Sequence, residues 1–247
     1  MKTMIKLPTF SQSTLLSLVF VLILCFYSAY SSKAYSGEDN RSGKIDEQTA
    51  NNQLFTIDKT AITVNRAKQD LMAKLSEINY INAKFKQIVV NEDDDVLQEG
   101  YGTLAISKPN LVNWHTTEPS ETLIVSDGKD LWFYDPFIDQ VSLYSLSKSI
   151  ANTPVLLLTS EDPALWNNFQ VSQINNGNYV IHSLDVNSQV KSLELSFNNE
   201  QLSKLSILDS TGQVSHISLI DVDFITQPKA SLFEFVISEG ITVDDQR

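Results

Sequence analysis

Hydrophobic and polar positions along this chain change period several times, and each change marks an element. After a polar stretch, Ile62, Ala67, Leu71, Leu75 and Ile78 recur at helical spacing. The spacing predicts an amphipathic helix of about five turns with one buried stripe, capped by Asp58 ahead of Thr60 and Ala61. Beyond Asn79 the period shortens to two. Ile81, Ala83, Phe85 and Val89 alternate with Asn82, Lys84, Lys86 and Ile88, which predicts a strand with one apolar face. Glu92-Asp93-Asp94-Asp95 reads as a solvated hairpin turn, and Val96 to Ser107 as the returning strand, bent where Gly100 and Gly102 fall.

Short strands then follow one another through recognisable turns. Lys108-Pro109-Asn110 precedes Leu111 to Thr116, and Glu118-Pro119-Ser120 precedes Thr122 to Val125. Ser126-Asp127-Gly128-Lys129 closes the clearest hairpin, with Leu131 to Tyr134 returning and Gln140 to Tyr144 next. Between Ser147 and Phe169 the alternation stops. Thr153-Pro154 and Asp162-Pro163 each look like a cap and first helical position, opening Val155-Leu156-Leu157-Leu158 and Ala164-Leu165-Trp166. Helices this short need packing to persist, so they should lie on the sheet. Strands resume at Phe169 to Ile174, Tyr179 to Leu184, Val190 to Phe197, Leu202 to Leu208 and Val214 to Phe224. The sum is a mainly β chain, an antiparallel meander of about eleven strands, and a sheet of that size curls.

The N-terminus changes the picture of where the protein works. Lys2 and Lys6 precede an apolar run from Leu15 to Ala29, and Ser32-Lys33-Ala34 offers small residues for cleavage after Ala34. Residues 1–34 therefore read as a secretory signal, 35–57 as a polar, disordered leader, and 58–247 as one folded domain. The only cysteine, Cys25, falls inside the signal behind Leu24, a poor context for lipidation. A mature chain without cysteine is held by its core alone. The signal carries three of the eighteen basic residues and none of the thirty acids, which leaves fifteen against thirty, a net charge of −15. Such a surface opposes binding to nucleic acid.

Candidate chemistry is sparse. His115, His182 and His216 lack metal-ligand spacing, and the acidic turn lacks the glycine and distal glutamate of an EF-hand. No phosphate-binding glycine loop is present, and Ser126 sits in a hairpin turn rather than a strand-to-helix elbow. No catalytic residue, metal site or cofactor is nominated; a secreted hydrolase would have to assemble its site from scattered residues. What stands out is the apolar excess: Val112 and Trp114 on one strand face, Leu123 and Val125 on another, Trp132 and Tyr134 on a third. The residues alone leave two readings open, an ordinary core or a cavity for lipid tails.

K-P-N-L-V-N-W-H-T-T-E-P, S-D-G-K-D-L-W-F-Y-D-P-F, N-T-P-V-L-L-L and the terminal G-I-T-V-D-D-Q-R follow one another in order along the chain. In these motifs, and from about Asp70 to Arg247, the chain resembles the LolA family of periplasmic lipoprotein carriers. The resemblance implies a half-open antiparallel barrel of about eleven strands with a helical lid over the concave apolar face. It also implies a monomer in the periplasm that accepts triacylated lipoproteins from an inner-membrane ABC transporter and passes them to the outer-membrane receptor LolB. LolB itself, or another exported lipid-binding half-barrel, is the nearest alternative, disfavoured by the context of Cys25. Carried over residue by residue, the acyl-chain cavity would comprise Phe85, Val112, Trp114, Leu123, Val125, Trp132 and Tyr134, and the lid Val155, Leu156, Leu157 and Leu158. Two positions depart from the family pattern. Lys108 stands where an arginine usually latches the lid through its backbone carbonyls, and Val112 where an aromatic is common.

Overall fold

The computed structural model describes residues 66–152, 154–175 and 177–247. The expected signal, the leader and the caps Asp58 and Thr153 lie outside these residues. Helix α1 occupies residues 66–76 and buries Ala67, Leu71 and Leu75, four residues apart on one face. Ile78 packs beside them on the same core.

Twelve strands form one sheet: β1 (Tyr80–Val90), β2 (Val96–Ser107), β3 (Leu111–Glu118), β4 (Thr122–Asp127), β5 (Asp130–Asp135), β6 (Gln140–Ser145), β7 (Phe169–Asn175), β8 (Asn178–Ser183), β9 (Val190–Asn198), β10 (Gln201–Asp209), β11 (Val214–Asp223) and β12 (Thr242–Asp245). Their spatial order is β12-β6-β5-β4-β3-β2-β1-β11-β10-β9-β8-β7, an open sheet with β12 and β7 at its edges. The first eleven pair antiparallel. The twelfth, which sequence pattern did not reveal, pairs parallel with β6. Opposite β2, the register shifts at Tyr101/Gly102, an irregularity where the glycines predicted a bend.

This order dictates two long crossings. Between β6 and β7 the chain must travel from one side of the sheet to the far edge, and it does so as α2 (Leu146–Asn152) and two 3-10 turns, Pro154–Leu158 and Pro163–Asn168. Asp162 caps the second, accepting from the Ala164 amide at 2.8 Å, with Pro163 in the first turn as the sequence suggested. Leu156, Leu157, Leu158 and Trp166 are buried in the same core as the strands, so this crossing runs over the inner face of the sheet. Between β11 and β12 the chain crosses again, through the 3-10 turn Ala230–Phe233.

The second crossing covers the outer face. Phe233 is buried, Phe235 stacks against Trp132 with ring centroids 6.3 Å apart and meets Tyr134 at 5.5 Å, and the Leu232 carbonyl accepts from Asn113 Nδ2 at 2.7 Å. Its end is fastened by Arg247, whose guanidinium grips Asp245 at 2.7 and 2.9 Å and reaches Asp130 on β5 at 3.0 Å. Apolar residues therefore lie on both sides of β4, β5 and β6.

Candidate functional site

Register between strands decides which side chains face inward. On β3, Val112 and Trp114 point to the inner face, paired with Ile106 and Leu104 of β2. Across β3 and β4, Val112 opposes Ser126 and Trp114 opposes Ile124; across β4 and β5, Ile124 opposes Phe133 and Ser126 opposes Leu131. Directly opposed residues share a face. The inner face thus carries Leu104, Ile106, Val112, Trp114, Ile124, Leu131 and Phe133. Phe85 joins them from β1, its ring 5.0 Å from that of Trp114.

Between these strands and the first 3-10 turn lies a cavity of about 50 Å³, lined on the sheet side by Leu104, Ile106, Val112, Trp114, Ile124 and Leu131. Val155, Leu156, Leu158 and Thr159 close it from above. Thr159 is the only hydroxyl-bearing residue in the lining, and its Oγ1 donates to the Leu156 carbonyl at 2.8 Å. Leu157, fully buried, faces a neighbouring hollow with Lys108 and Trp166. Of the segment 155–158, Val155, Leu156 and Leu158 thus face the apolar side of the sheet.

Four of the expected cavity residues are elsewhere. Val125 pairs with Asn113 and Trp132, and Leu123 with His115 and Tyr134, so Leu123, Val125, Trp132 and Tyr134 occupy the outer face beneath the second crossing. Parity on β3 was assigned correctly and parity on β4 and β5 was inverted. The residues missed, Ile124, Leu131 and Phe133, alternate with the ones chosen. The two-residue turn Gly128-Lys129 aligns Ser126 with Leu131 and so ties β4 to β5, but the residues chosen obey the same register; only the pairing of Trp114 with Ile124 across β3 and β4 tells which face is inner. His115, His182 and His216 also lie on the outer face; His115 meets Glu121 at 2.8 Å and His216 meets Ser206 at 2.9 Å.

Polar ties hold the helical layer down. The Asn110 amide, in the turn between β2 and β3, donates to the Thr159 carbonyl at 2.9 Å. Lys68 on α1 donates to the Trp166 carbonyl at 2.8 Å. Lys108 donates to the Leu75 carbonyl at the end of α1, so it binds a helix preceding the sheet rather than the 155–158 segment. Burial pushes both lysine ammonium groups below the usual lysine pKa; for Lys108 the nearby Glu161 pulls weakly the other way. Lys74 completes the set, pairing with Glu200 and lying 5.7 Å from the Phe197 ring.

Comparison with known proteins identifies the family. The model of the family described as outer membrane lipoprotein carrier protein LolA matches residues 76–236. The chain belongs to the LolA family. It is 38% identical over 181 residues to the outer-membrane lipoprotein carrier protein of Shewanella pealeana, covering 73% of this chain and 86% of that protein. It is 36% identical over 182 residues to the carrier of the same name from Photorhabdus laumondii subsp. laumondii, covering 73% and 89% respectively. A solved LolA superfamily protein from Nitrosomonas europaea aligns with a TM-score of 0.40 and 14% identity, covering 68% of this chain and 97% of that one. The LolA match takes in the end of α1, the first eleven strands and the 3-10 turns at 154–158 and 163–168; β12 lies beyond it.

Proposed function

We propose that the protein is a periplasmic lipoprotein carrier. The open sheet serves as a half-open barrel, and α1 with the helical segments between residues 146 and 168 forms its lid. It accepts triacylated lipoproteins from an inner-membrane ABC transporter, shields their acyl chains between sheet and lid, and releases them to the outer-membrane receptor LolB. The observation that carries this reading is the cavity beneath Val155, Leu156 and Leu158, apolar in its lining and roofed by a layer fastened at a few polar points.

Magnitudes support a carrier that opens. Burying a methylene is worth about 0.8 kcal/mol, so a single acyl chain brings a gross gain on the order of 10 kcal/mol. Opening the lid must consume part of it, since tight net binding would stop delivery. Lys108 takes the latch position with one point charge in place of an arginine fork, which implies a latch with fewer hydrogen bonds. Lys108→Leu is expected to alter release to the receptor, and unchanged release would remove Lys108 from that role.

The decisive experiment is to purify the mature protein from periplasm and to incubate it with inner-membrane vesicles carrying labelled triacylated lipoprotein. A carrier brings the lipoprotein into the soluble fraction in a one-to-one complex. Lipoprotein that stays with the vesicles, with none copurifying from periplasm, would dismiss the proposal.

A further inference from the structure

Trp114 is 5% exposed, and its indole N–H has no acceptor among the described residues. A buried indole N–H ordinarily finds one. The other lining side chains are hydrocarbon except Thr159, whose hydroxyl donates to the Leu156 carbonyl and does not accept from the indole. Packing also holds the ring in place. Phe85 lies against it at 5.0 Å, and Phe85 in turn fills the space over Gly102, where a Cβ would come within 2.5 Å of the phenyl ring. The result is a fixed donor in an apolar cavity, with no acceptor among the described residues.

We propose that Trp114 is the polar recognition point of this cavity, its indole N–H donating to the carbonyl oxygen of an ester- or amide-linked acyl chain. The inference rests on the carrier reading above and adds to it the chemical group that is read. A saturated tail has no acceptor; the linkage carbonyl at its head is the first strong one along the molecule. Trp114 shares a rung with Leu104 and Ile124, the lining rung nearest the β3–β4 turn. A carbonyl bound there sends its tail past Val112, Ile106 and Leu131 towards Thr159. One directed hydrogen bond in an otherwise apolar site sets orientation and favours acyl linkages over alkyl ones, while chain length and saturation stay unread.

Two probes test this: an S-diacylglyceryl peptide with ester linkages, and its dialkyl ether counterpart of equal chain length. Trp114→Phe should weaken the ester probe about fivefold, the size of one net neutral hydrogen bond, and the ether probe less than about twofold. Since phenylalanine is also smaller, a second variant carries 3-benzothienylalanine at position 114, which keeps the bicyclic shape without the N–H and should give the same split. In nitrogen-15-labelled wild-type protein, the Trp114 indole resonance should move downfield with the ester and hold its position with the ether. Equal losses for both probes, or an unmoved indole resonance at saturating ester, would overturn the hydrogen bond. Failure of the wild-type protein to bind either probe would instead remove the acyl-cavity reading, and this inference with it.

Discussion

Two single residues set the inner surface in ways their neighbours cannot replace. At Gly102 an added Cβ would stand 2.1 Å from the His115 carbonyl oxygen and 2.5 Å from the Phe85 ring. The first contact is with backbone, which cannot rotate away, so Gly102→Ala must spread β2 from β3 as well as displace Phe85. The expected cost is about 2 kcal/mol or more, visible in urea unfolding, and a loss under about 0.5 kcal/mol would mean the strands yield freely. Lys108 shows how burial of a charge enters stability. Its folded pKa lies below the ordinary 10.5 because burial disfavours the ammonium. The unfolded chain therefore keeps this proton to higher pH, and stability rises with pH between the lowered value and 10.5. Relative to Lys108→Met, which neither titrates nor donates, the wild-type protein should gain stability as pH is raised from neutrality towards 10.5. A constant difference across that range would mean the charge carries no burial cost.

At the scale of elements, the parity of β4 and β5 shows how far a pattern can be followed. α1, the hairpin turns, the 3-10 turns at 154–158 and 163–168 and eleven strands were legible because each carries a local signal: a period, a glycine, a cap before proline. Parity is a local signal only where one face is wet. Leu123-Ile124-Val125 and Leu131-Trp132-Phe133-Tyr134 are apolar at every position, because helices cover one face and the β11–β12 crossing covers the other. That crossing brings Phe233 and Phe235 from about a hundred residues away, and no window along β4 or β5 contains them. The two faces can be told apart by charge. Leu131→Glu should abolish lipoprotein acceptance, whereas Trp132→Glu should leave it intact and loosen the crossing, read as faster amide exchange over residues 232–236. Loss of acceptance in both variants would put the outer face in the cargo path.

The same element carries an acid-resistant fastening. Asp245 has its carboxyl held down to about 2 by the hydrogen bonds of the Arg247 side chain and then of its amide. A carboxyl with a depressed folded pKa contributes stability above its unfolded value, and that contribution is lost as pH falls through the folded one. Attachment of β12 should accordingly persist from neutrality past the ordinary 3.8 and fail only as pH approaches about 2. The amides of Thr242 and Gln246, which donate to the backbone carbonyls of Asp139 and Leu143 at 2.8 Å, report it directly by hydrogen exchange. In Arg247→Ala the protection should be lost at higher pH, and identical profiles for the two proteins would show that β12 is held by its ladder alone.

For the molecule as a whole, the cavity and the proposed cargo do not match in size, and the mismatch says what must move. About 50 Å³ is a third of the roughly 150 Å³ of an engineered cavity that binds benzene. This cavity, as closed, is too small for an acyl chain. The sheet is a poor candidate for the motion, because each inner strand is bonded on both sides. The helical layer is joined to it by isolated bonds rather than ladders, among them the Asn110 amide on the Thr159 carbonyl, the Leu146 amide on the Lys129 carbonyl, the Leu184 amide on the Asn168 carbonyl, Lys108 on the Leu75 carbonyl and Lys74 with Glu200, and by the leucines beneath. Loading should therefore break the Asn110 bond while the ladders of β1, β2 and β3 stay intact. The amide of Asn110 should exchange at least about tenfold faster in the lipoprotein complex than in the free protein, since losing one such bond with its burial is worth about 1.4 kcal/mol or more. The amides of Phe85, Leu104 and Trp114 should keep their rates. If they accelerate together with Asn110, room for the cargo comes from spreading the sheet, and the helical layer is not the moving part.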